Sequence, residues 1–144
     1  MELPSVMITP EDIRRAMGIQ ASRVCDKVFP QERPNAVTDR LTEFIVVSLP
    51  YSFVNRMMGE DDDWWLDLTV VYEIYVADRK SASDPKLVDD PTMKRLRQAL
   101  LGTFPLVDKE QGFKIVRPRT VVPATSDGNG YHYTRIQAKM TTMV

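Results

Sequence analysis

Residues 64–77, WWLDLTVVYEIYVA, place Trp64, Leu66, Leu68, Val70, Tyr72, Ile74 and Val76 at every second position, with Asp67, Thr69, Glu73 and Tyr75 between them. An alternation sustained over that span has the period of a strand, not of a helix. At roughly 3.3 Å per residue it reaches on the order of 45 Å, against about five or six residues for an ordinary strand. A strand of that length overhangs a small sheet, so its free end must be covered or paired. Assembly, before chemistry, is the first property this pattern raises.

The flanking patterns supply the other elements. Thr9-Pro10-Glu11-Asp12 is a helix start, with Thr as N-cap, Pro at the first helical position and acids in the first turn. Ile13, Met17, Ala21, Val24 and Val28 continue at helical spacing, and the helix stops before Pro30. Residues 30–40 read as a loop, and residues 43–49, EFIVVSL, as a central strand that continues after a bend over residues 51–54. Residues 55–63, NRMMGEDDD, form an acidic loop leading into the long strand. After a loop over residues 78–90, a second helix runs from Asp90-Pro91 to about Leu101. Its buried stripe is Met93, Leu96, Ala99 and Leu100, and Gly102 is its C′ residue. Residues 113–116 begin a strand that Pro118 and Pro123 make an edge or an interrupted one. Asp127-Gly128-Asn129-Gly130 marks a turn into a last alternating strand over residues 131–143. Helices separated by antiparallel hairpins predict one α+β domain over residues 1–144, a mainly antiparallel sheet with two helices packed on one face.

Composition narrows the class. With 43% hydrophobic and 27% charged residues the chain can bury a core. The formal net charge of −1 hides an uneven split: residues 1–110 hold 14 Lys and Arg against 19 Asp and Glu, while residues 111–144 hold Lys114, Arg117, Arg119, Arg135 and Lys139 against Asp127. Such polarity can serve head-to-tail subunit contacts or anionic partners. One cysteine, Cys25, excludes an intrachain disulfide framework and a Cys-rich zinc site. No basic leader precedes an apolar segment and no apolar run is long enough to span a bilayer, so the expected setting is a reducing cytoplasm without membrane contact.

Candidate chemistry is sparse. His132, the one histidine, would have to serve any Ser-His-Asp or Cys-His arrangement, yet it stands in a hairpin strand beside a turn, where a half-buried structural histidine is the simpler reading. Cys25 reads as a small core residue. Glu60, Asp61, Asp62 and Asp63 carry charge without the ligand spacing of a calcium loop. Trp64 and Trp65 point to opposite faces, so one of them is left for a rim or an interface. Arg117, Arg119, Arg135 and Lys139 could line one sheet face and meet phosphate, but no recognition helix, finger spacing or aromatic RNA-binding motif accompanies them. No catalytic, metal or cofactor residue is expected. These ten residues, from Glu60 through Trp65 and the four cations, are the expected interface positions.

The layout of these elements resembles phage neck and tail-completion proteins of the tail-terminator type. The stretches that carry the resemblance are VCDKVFPQERP, EFIVVSLPYSF, LDLTVVYEIYVADRK, DDPTMKRLRQALLGTF and YHYTRIQAKM. The acidic loop and the proline-interrupted segment 117–130 depart from that pattern. The resemblance implies a non-enzymatic virion protein without cofactor. Its subunits close into a homo-oligomeric ring, commonly hexameric, against neck or tail-tube proteins, with DNA passing nearby. In such a ring the basic C-terminal hairpin is expected to meet an acidic surface of the next subunit. The acidic loop would either line the channel or dock on a basic neighbour. The alternatives are a small α+β adaptor domain acting as a cytoplasmic homodimer and a metal-dependent hydrolase built on the acidic loop.

Overall fold

A computed structural model of the protein describes residues 10–30, 41–49, 55–58, 63–79, 87–118, 121–128 and 130–142. These form α1 (Pro10–Ser22), β1 (Val28–Pro30), β2 (Glu43–Ser48), β3 (Asn55–Met58), β4 (Asp63–Ala77), α2 (Asp90–Leu101), β5 (Leu106–Asp108), β6 (Phe113–Ile115), β7 (Thr125–Ser126) and β8 (Tyr131–Thr142). The strands make one sheet in the order β1-β2-β4-β8-β6-β5, with β3 added to β4 and β7 to β8. Only β1 runs parallel to its neighbour; every other pair is antiparallel. The fold is therefore α+β.

The 15-residue β4 is the spine. Its residues 71–76 face β2 and its residues 67–77 face β8. Before Asp67 the described pairs with β2 and β8 have ended, and β3 takes over, with Asn55 opposite Leu66 and Met58 opposite Asp63. Residues 55–58 are thus a strand, where the sequence pattern had indicated a loop. They lack period-two alternation, and what draws them into the ladder is backbone pairing with an overhanging strand whose N–H and C=O groups would otherwise lack partners. Residues 51–54 and 59–62 lie outside the described residues.

From Val70 to Val76 the alternation of β4 resolves as expected except at Tyr75, which is buried on the opposite face; the side chains of Trp64, Leu66 and Leu68 lie outside the described ones. Val70, Tyr72, Ile74 and Val76 are buried, as are Thr134, Ile136, Ala138 and Met140 of β8. Against that face α1 packs Ile13, Met17 and Ala21, and α2 packs Met93, Leu96 and Leu100. Ala99, expected in the α2 stripe, is exposed. The stripe is narrower because three large side chains at spacings of three and four residues already fill the contact with the sheet. The N-cap of α2 is Asp89, whose Oδ1 accepts from Thr92 N at 3.2 Å and whose Oδ2 accepts from Thr92 Oγ1 at 2.7 Å. Gly102 ends the helix in a right-handed conformation, φ −69°, and so is not a left-handed C′ residue.

Two further boundaries move. The first helix stops at Ser22, and Val28 belongs to β1, opposite Ile45 of β2. Val24 and Val28 still touch the core, which is why their spacing imitated a longer helical stripe. At the other side β6 is not the edge: β5 pairs outside it, a strand too short to announce itself in sequence. The turn before β8 behaves as its residues suggest. Gly128 and Gly130 have φ of 79° and 91°, a region that disfavours a Cβ, and Asp127 N donates to Tyr131 O at 2.9 Å.

One buried polar chain crosses the core. Tyr72 Oη donates to Gln20 Oε1, Gln20 Nε2 donates to Thr103 Oγ1 at 2.8 Å, and Thr103 Oγ1 donates to Leu100 O at 2.6 Å. Gln20 is 1% exposed, so β4, α1 and the end of α2 are tied through a side chain that the apolar pattern alone would not select.

Candidate functional site

The sheet face away from the helices carries two features. Across its β1-to-β8 width runs an aromatic row. Phe29 meets Phe44 edge-on at 5.8 Å, Phe44 stacks on Tyr75 at 4.6 Å, and Tyr75 stacks on Tyr133 at 5.2 Å. Tyr131 closes it, edge-on to Phe44 at 5.4 Å and donating from its hydroxyl to Leu41 O at 2.6 Å. This second cluster makes Tyr75 a buried residue on the face expected to be polar. Aromatic pairs of this geometry add to the burial term and hold four strands in register.

Further along β8 the same face turns basic. Arg135, Gln137 and Lys139 alternate outward and are exposed. The segment leaving β6 is pinned beside them by Val116 N donating to Lys139 O at 2.9 Å. It returns at Val121, which bridges Ile136, and Thr134 Oγ1 donates to Val122 O. Between these anchors lies a groove of about 470 Å³ with Val116, Arg117, Pro118 and Val122 on one wall and Arg135, Gln137 and Lys139 on the other. Arg135 Nη2 is 3.2 Å from Glu73 Oε2, its cross-strand neighbour. With 52% of the Arg135 side chain exposed, that pair contributes about 0.2–1 kcal/mol at most and chiefly orients the guanidinium. Among the described side chains, neither Arg117 nor Lys139 enters an ion pair.

Three of the expected interface residues, Arg117, Arg135 and Lys139, therefore meet in one groove. Asp63, Trp64 and Trp65 stand elsewhere, on the β3–β4 ribbon opposite Met58, Met57 and Arg56. Glu60, Asp61, Asp62 and Arg119 lie outside the described residues. Sequence reading missed Val116, Pro118 and Val122, the apolar wall of the groove; the run Val121-Val122-Pro123 was its one signal, and Val122 remains 46% exposed. It also missed the aromatic row, whose members come from four strands.

The remaining candidates are tied into the fold. His132 Nδ1 lies 2.6 Å from Asp78 Oδ1, and Asp78 N donates to Gly130 O, so the pair fastens the start of β8 to the end of β4. Cys25 is buried in the core, where desolvation pushes its thiol above the ordinary 9.0. Among the described residues no group of three His, Cys, Asp or Glu side chains is placed to hold a metal ion, and no helix is long and apolar enough to cross a membrane.

No protein-family model matches the sequence, and no curated protein does. Among solved structures, one chain that carries no descriptive name superposes with a TM-score of 0.62 at 14% identity, covering 96% of this chain and 98% of that one. That likeness shows the fold alone. A second is the sheath/tube terminator of an extracellular contractile injection system, in its extended state, with a TM-score of 0.44 at 15% identity. The alignment covers 93% of this chain but spans 57% of that one.

Proposed function

We propose that this chain is a non-enzymatic structural subunit of the tail-terminator type. It closes with copies of itself into a ring, hexameric by preference, at the junction of a phage neck and tail, against neighbouring neck or tail-tube proteins. The observation that carries the reading is the overhang of β4. Among the described residues, residues 63–66 pair with β3 alone, so this end of β4 is a two-stranded ribbon. An isolated two-stranded ribbon is marginal in water, and a chain that maintains one gives it something to hold. The layout resemblance supplies the kind of particle, and the location in a virion follows from it.

Native mass spectrometry of the purified chain at micromolar concentration tests this. The expected result is a closed oligomer of several copies, six for the preferred ring. A monomer would overturn the reading, and a dimer that stays a dimer across concentration would favour the adaptor alternative.

A further inference from the structure

The start of β4 and the basic groove lie at separate register positions in one molecule. Lys139 stands opposite Thr69, and Arg135 opposite Glu73. Counting back along β4, Asp63 is six residues before Thr69, roughly 20 Å at the rise of an extended strand, and the ribbon leads away from the groove. The run Glu60-Asp61-Asp62-Asp63 is the densest negative charge in the sequence. Asp63, the last residue of that run, is the first residue of β4.

We propose that this acidic run docks in the groove of a neighbouring copy, with its carboxylates on Arg117 and Lys139 and its flanking apolar residues against Val122 and Pro118. The inference rests on the self-association argued above and names the surfaces that make it. Charge selects the pairing: the groove offers two cations without a carboxylate partner among the described residues, with Arg135 held beside them by Glu73. Because ribbon and groove are different surfaces, the contact is heterologous. Repeated head to tail, such a contact closes into a ring when its rotation permits. The exposed apolar wall separates this from a purely electrostatic landing site, since Val122 gains burial only when a segment fills the groove.

The test uses the whole chain. Equal amounts of isotopically heavy and light protein are mixed, allowed to exchange subunits, and treated with a zero-length carbodiimide, which joins a carboxylate to an amine. Mixed-isotope cross-links between Lys139 and the peptide containing residues 60–63 are expected. The variant R117E/K139E and the variant D61K/D62K should each weaken self-association by about ten-fold or more while keeping the wild-type circular dichroism, and an equimolar mixture of the two should recover pairing. If the wild-type chain assembles but both variants assemble equally well, the docking is overturned and the ring reading stands. If the wild-type chain is a monomer, both fall. If a short DNA duplex abolishes the Lys139 cross-links without dispersing the oligomer, the groove belongs to nucleic acid and the proposal is overturned.

Discussion

Gln20 is the residue on which three elements converge, and its chemistry makes it a sensitive one. Its amide accepts from Tyr72 and donates to Thr103 in a setting from which water is excluded. Replacing it by leucine leaves the Tyr72 hydroxyl buried without its acceptor, a loss of about 1–3 kcal/mol. Removing the hydroxyl as well should recover part of that loss, so urea titrations of Q20L, Y72F and the double variant are expected to be non-additive. Burial also holds the Tyr72 hydroxyl well above its ordinary 10.0 and the Cys25 thiol above 9.0. In both cases the folded chain keeps its proton to higher pH than the unfolded chain does. Their contribution is complete below the unfolded values and declines as the pH rises past them. Melting temperatures should therefore fall between about pH 9 and 11, and more shallowly in Y72F. A curve of equal slope in that variant would show that other groups set the alkaline limit.

At the scale of elements, α2 carries the clearest expectation. L96A and L100A each remove a fully buried side chain and should cost about 2–5 kcal/mol, measured by denaturant unfolding. A99K, on the exposed side of the same turn, should stay within about 0.5 kcal/mol of wild type. That contrast follows from the structure, because spacing alone had put Ala99 in the stripe. Long, strongly periodic elements such as β4, β8 and α2 could be read from sequence because their pattern repeats often enough to fix a face. The strands β1, β3, β5 and β7 could not, being two to four residues long and defined by the neighbour they pair with. The groove was half readable for the same reason. Arg135 and Lys139 share a face by the period of one strand, whereas Arg117 joins them only through the path of the chain between β6 and β7. The aromatic row was hidden altogether, since its rings come from positions 29, 44, 75 and 133 and only the register brings them together.

At the scale of the whole molecule, the packed body and the β3–β4 ribbon carry separate expectations. The body buries one continuous core between sheet and helices. Met58 stands opposite Asp63, so residues 59–62 can be replaced by Asn-Gly, the two-residue connection that antiparallel strands accept most readily. This shortened hairpin keeps every backbone pair of β3 with β4 and removes most of the acidic run. Its melting temperature should therefore lie within a few degrees of wild type, since loop exchanges of this size shift stability by about 0.5 kcal/mol. Its oligomer should be lost, because the segment that reaches the neighbour is gone while the groove that would receive it is intact. Mixing it with wild type should poison assembly in proportion to the fraction added, as a subunit with a groove and no arm ends a head-to-tail chain. Light scattering across that mixing series reads the outcome directly: retained assembly would show that the ribbon is dispensable, and loss of soluble folded protein would show that the acidic turn belongs to the body after all.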